Sequence, residues 1–133
     1  MTAAAAHHRV DARLLHAIAA VESGFNASAV SAPNRNGTHD IGLMQINSAW
    51  LPRLASFGID ARRLREPCVS AYVGAWILAD NIRRHGPVWR AVGAYNARSP
   101  AHQRVYVDKV QRALVQVSVS SGAAGPGSVV PVR

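Results

Sequence analysis

The sequence predicts a mainly α domain with one small β element. Three observations predict it. Apolar residues recur at helical spacing in several segments, one turn-rich stretch carries an Asn-Gly pair, and 133 residues suffice for one domain with a real core but not for two. Apolar residues make up 49% of the chain, enough for most of it to fold.

The elements follow in order. Asp11 is placed to cap a helix over "ARLLHAIAAVES", where Leu14, Leu15, Ile18 and Val21 share a face and Gly24 supplies the stop. Turn formers fill "NASAVSAPNRNGTHDIG", and Asn36-Gly37 predicts a small, irregular β-hairpin near 28–42. "NSAWLPRLASFG" reads as a short helix interrupted at Pro52, and Asp60 as the cap of another turn or two through Arg65. Pro67 opens the strongest helical segment, "PCVSAYVGAWILADNIRRHG", with Val69, Tyr72, Val73, Trp76 and Ile77 toward the core and Gly86 at its end. A further helix runs from about Pro87 through "VWRAVGAYNA". The last covers "PAHQRVYVDKVQRALVQV", with Val105, Val107, Val110 and Leu114 at helical intervals. The domain is thus set at 1–117, and 118–133 reads as a flexible Gly/Pro/Ser tail.

Charge narrows the function. Fourteen arginines and one lysine, Lys109, leave a net +8 over the acids, which points to an anionic partner: nucleic acid, acidic lipid or a cell-wall polymer. The arginines are spread along the chain and the aromatics fall within apolar helices, so a nucleic-acid module is disfavoured. No apolar run approaches the roughly 20 residues of a membrane span. The histidines lack metal-ligand spacing, so no metal site is expected. The opening "MTAAAAHHRV" has no signal-peptide pattern: either the protein stays in the cytoplasm or a leader has been removed. Cys68 stands alone, as a small buried apolar residue or as half of a disulfide whose partner has been cut away.

The chain has only two glutamates, Glu22 and Glu66. Glu22 follows Ile18 by four residues and Leu15 by seven, so on a helix it shares their apolar face. It also sits in the last turn, where unpaired carbonyls carry partial negative charge. Both effects favour the neutral acid, which can donate a proton near neutral pH. Farther on, Met44 and Gln45 in "DIGLMQIN" offer an apolar pad beside an amide, suited to an N-acetylated sugar. Tyr95 and Asn96 in "GAYNA" can present a hydroxyl and an amide into a groove.

"ESGFN", "GLMQIN" and "AYNA", in this order, resemble the three signature motifs of the soluble lytic transglycosylase (SLT) domain, a lysozyme-like enzyme that cuts peptidoglycan. "NGTHDIGLMQINSAWLP" and "PCVSAYVGAWILADNI" resemble its small members associated with secretion systems and pili. The resemblance implies an α+β lysozyme-like fold, a helical bundle around a substrate groove. It implies Glu22 as catalytic acid, with Ser23, Ser31, Met44, Gln45, Tyr95 and Asn96 binding substrate. It also implies cleavage of the MurNAc–GlcNAc bond to a 1,6-anhydro product with no cofactor. Glu22 first protonates the glycosidic oxygen and then takes the proton of the muramic C6 hydroxyl, so one carboxylate suffices where ordinary glycosidases need two. "THDIGLMQIN" also resembles the strand that carries the second carboxylate of chicken-type lysozymes. Asp40 is therefore either a second acid of a hydrolase or a hairpin aspartate bonded to nearby amides. The expected partners are glycan strands and components of a secretion or pilus machine, and the expected state is a monomer. Export to the periplasm follows, with a signal peptide removed from this chain and a disulfide partner of Cys68 lost with it.

Overall fold

The computed structural model describes residues 1–96 and 99–123, with side chains through 117. Its elements are α1 (Thr2–His8), α2 (Ala12–Ser23), β1 (Asp40–Ile41), β2 (Ile46–Asn47), α3 (Leu51–Ala55), α4 (Pro67–His85), α5 (Val88–Asn96) and α6 (Pro100–Ala123). The protein is mainly α around one hydrophobic core, with a two-stranded antiparallel sheet, as the sequence predicts. Of the predicted tail, 118–123 continue α6, and 124–133 lie outside the described residues.

α4 is the spine. Ser70, Ala71, Val73, Gly74, Ala75, Ile77 and Leu78 are its buried residues, while Tyr72 is 38% exposed beneath His7 and His8. The core face therefore consists mostly of small and aliphatic residues, because neighbours press close: a Cβ on Gly74 would lie 2.8 Å from Met44 Cγ. α1 and α5 pack on α4, and α6 closes the bundle by lying along both α2 and α5. α6 buries Tyr106 and Val110, whereas Val105, predicted inward, is 57% exposed. α1 is an addition to the predicted elements. It buries Ala4 and Ala5 and ends at Arg9 in the left-handed conformation.

α2 has the predicted bounds. Asp11 accepts from the Arg13 backbone N–H at 2.8 Å, and Gly24, at φ 60°, returns its N–H to the Ala20 carbonyl. The β region is displaced from its predicted place. The stretch 28–42 contributes an isolated Val30–Ile41 bridge and a turn closed by Asn34 and Thr38, but the paired strands are 40–41 and 46–47. The reason is Gly42, at φ 82°, which lets the chain reverse just after Ile41. A Cβ there would lie 2.1 Å from the Leu64 carbonyl oxygen. Pro52 stands in the first turn of α3, after a 3₁₀ turn at Ser48–Trp50, so it begins a helix rather than interrupting one.

Candidate active site

The last turn of α2 points Glu22 into a groove of about 710 Å³. The 34–47 region lines one part of the groove, Trp50 and Arg53 another, and the end of α5 a third. A smaller hollow of about 240 Å³, lined by residues of α6 that include Tyr106 and Lys109, also contains Glu22 and Asn96. Both recesses are lined by Glu22 and Asn96.

The Tyr106 hydroxyl donates to Glu22 Oε2 at 2.7 Å, and Asn96 Nδ2 donates to the same oxygen at 3.5 Å. Oε1 takes no bond among the described residues. A neutral Glu22 therefore carries its proton on Oε1, the oxygen left to meet a substrate. Burial pushes the Glu22 carboxyl up to about 7; the bonds from Tyr106 and Asn96 oppose the shift, and the charge of Asp40 adds to it. The raised pKa expected from the apolar helix face is thus present, and desolvation is its main cause. The same burial, together with the charge of Glu22, holds the Tyr95 and Tyr106 phenols neutral far above their ordinary range.

The other predicted residues divide between wall and frame. Asp40, Gln45, Tyr95 and Asn96 line the groove. Gln45 sits at φ 51°, and its Nε2 is spent on the Ala29 and Gly42 carbonyls, so only its Oε1 remains for a ligand. Tyr95 donates its hydroxyl to the Met44 carbonyl at 3.0 Å. Asp40 accepts from Asn47 Nδ2 at 3.0 Å and Asn34 Nδ2 at 3.5 Å, side-chain amides rather than backbone ones.

Met44, Ser23 and Ser31 are not in the groove wall. The Met44 side chain is wholly buried against Gly74, and its backbone N–H is held by Ser70 Oγ at 3.0 Å; the core, not the groove, has the matching apolar space. Ser23 donates to the Leu43 carbonyl at 2.8 Å, tying the end of α2 to the turn of the sheet. Ser31 donates to the Ala32 carbonyl and accepts from the Asp40 backbone N–H, both at 2.9 Å. Both serines position the acid-bearing and amide-bearing segments. Cys68 is exposed near the start of α4 and forms no disulfide.

Sequence reasoning missed Tyr106. Its signal was present: a lone tyrosine four residues before Val110, on the face of α6 that is buried. Trp50 and Arg53 were also missed. The Trp50 and Trp76 rings meet edge to face at 5.4 Å, and the Arg53 guanidinium lies over both, 5.0 and 5.4 Å from their centroids.

The family model described as the transglycosylase SLT domain matches residues 1–112. Invasion protein IagB of Salmonella typhimurium (strain SL1344) is 47% identical over 89 residues, covering 66% of this chain and 55% of that protein. Protein IpgF of Shigella flexneri is 38% identical over 119 residues, 86% of this chain and 78% of that protein. The X polypeptide of Escherichia coli (strain K12) is 33% identical over 128 residues, 91% of this chain and 75% of that protein. The match thus spans about half the length of the Salmonella relative.

Proposed function

The chain belongs to the transglycosylase SLT domain family, and from that premise we propose that it is a lytic transglycosylase that cuts peptidoglycan between N-acetylmuramic acid and N-acetylglucosamine. One observation carries the reading: a half-buried carboxyl raised to about 7 that lines two recesses, with one oxygen occupied by donors and the other open. Glu22 Oε1–H protonates the bridging glycosidic oxygen as the C1–O bond breaks. Positive charge grows at the muramic C1. Glu22, now a carboxylate, takes the proton of the C6 hydroxyl while that oxygen bonds to C1, closing the 1,6-anhydro ring. The proton count returns to its start and no water is consumed. Because both reacting groups belong to one sugar, no second reactant has to be immobilised. Tyr106 and Asn96 stabilise the carboxylate formed midway, since both donate to it.

Asp40 supports a second reading. It lines the same groove and its charge acts on Glu22, and water-dependent hydrolysis with two acids would use it. The product separates the two. An anhydro-muropeptide is lighter by one water than its hydrolysed counterpart. Digestion of purified sacculi followed by mass spectrometry is expected to give the lighter series; a spectrum dominated by the heavier one makes the enzyme a hydrolase.

The setting of the activity is also proposed. A wall-cutting enzyme acts outside the inner membrane, so the protein is exported and works in the periplasm, opening the wall locally for a secretion or pilus apparatus. The name of one relative, an invasion protein, is in keeping with that role. Among the described residues no helix is long and apolar enough to cross a membrane. The net charge of +8 favours retention on an anionic wall.

A further inference from the structure

The groove is lined by a cation that rests on two indole rings and that no described carboxylate pairs. Arg53, on α3, lies with its guanidinium over the faces of Trp50 and Trp76. Five of the other arginines, Arg13, Arg63, Arg83, Arg84 and Arg112, are paired with Asp or Glu, whereas Arg53 has no ion pair among the described residues. No described side chain takes the N–H donors of that guanidinium, which form the fork that matches a carboxylate. The two rings also remove part of the side-chain freedom that binding would otherwise cost. Asp40, the acid in the same groove, spends its oxygens on Asn47 and Asn34. Arg35, in the 34–38 turn, also lines the groove and has no ion pair among the described residues. The groove wall therefore carries two acids, Glu22 and Asp40, and two bases, Arg35 and Arg53. A neutral glycan has no use for the bases.

We propose that Arg53, held on the Trp50–Trp76 pair and assisted by Arg35, binds a carboxylate of the stem peptide attached to the glycan strand, so that the site selects peptide-bearing strands. This rests on the peptidoglycan reading above and names the part of the substrate that the basic residues of the groove recognise. Arg53 is a specificity residue here and takes no part in bond breaking.

The test is equilibrium binding, which does not require turnover. Three ligands are compared by calorimetry with the intact protein: a GlcNAc–MurNAc tetrapeptide, the same compound with its peptide carboxylates converted to amides, and the peptide-free disaccharide with its lactyl carboxylate. The expected result is tighter binding of the first over the second by about three- to tenfold in Kd, the scale of a partly exposed ion pair. The advantage should shrink with added salt. It should fall toward one in Arg53→Gln and be partly kept in Arg53→Lys. Equal binding of the charged and amidated peptides overturns the proposal, as does an advantage unchanged in Arg53→Gln. Preference for the peptide-free disaccharide overturns the stem peptide as the source of the carboxylate. Loss of anhydro-product formation with the binding contrast intact would instead contradict the proposed reaction and leave this recognition standing.

Discussion

At the residue scale, opposed forces set the protonation of Glu22. Burial and the charge of Asp40 favour the neutral acid; the donated bonds from Tyr106 and Asn96 favour the carboxylate. The two sets give opposite predictions. Tyr106→Phe removes a donor and moves the alkaline limb of the kcat/KM profile to higher pH. Asp40→Asn removes a negative charge and moves that limb to lower pH. Parallel shifts in the two variants would contradict the assignment of forces. Glu22→Gln keeps the shape of the side chain and removes the proton. It is expected to lower kcat by at least about 10²–10⁴, the usual contribution of a general acid–base group, while circular dichroism stays unchanged. Near-native clearing of sacculi by that variant would remove Glu22 from its role. The placement of Glu22 was legible because it depends on local periodicity alone. Tyr106 was not, because its contact with Glu22 joins residues 84 apart in the chain, and no local pattern records such a meeting.

At the element scale the site is positioned by close backbone approaches rather than by large side chains. The turn between β1 and β2 rests on α4 through Met44 and Gly74 and on the Leu64 carbonyl through Gly42. Gly74→Ala forces the buried Met44 to move and should cost about 1–3 kcal/mol in urea unfolding. Gly42→Ala should cost more, since it adds a left-handed backbone conformation for a residue with a Cβ to a clash with a carbonyl. An unchanged midpoint for either variant would show that the approach is looser than described. These elements also mark the limits of sequence reading. Long apolar-faced segments such as α2 and α4 carried their bounds in their apolar spacing and terminal glycines. α1 did not, since its buried residues are alanines and present no apolar stripe. Met44 was read as groove wall because its type suits a sugar, but the small faces of α4 left a core space that it fills.

At the scale of the whole molecule, function is set against stability. The folded protein keeps a carboxyl near 7 where the unfolded chain has it near 4.5. Below the unfolded value both states bind the proton and no penalty exists. As pH rises, the unfolded chain ionises first, so stability falls across the window from about 4.5 through about 7. The loss attributable to Glu22 is about 2–3 kcal/mol at most, with groove solvent reducing it. Urea unfolding of the native protein should show this decline, and Glu22→Gln should lack it; an equal decline in both would place its cause elsewhere.

The most direct measurement of the central claim uses the scarcity of glutamate. With ¹³C-labelled glutamate the side-chain carboxyl region of the spectrum holds only two signals, from Glu22 and Glu66. An NMR titration is predicted to show one of them moving with a midpoint at about 7 and missing from the spectrum of Glu22→Gln. If neither signal titrates above the ordinary carboxylate range, Glu22 is already ionised at neutral pH and cannot hand a proton to the glycosidic oxygen.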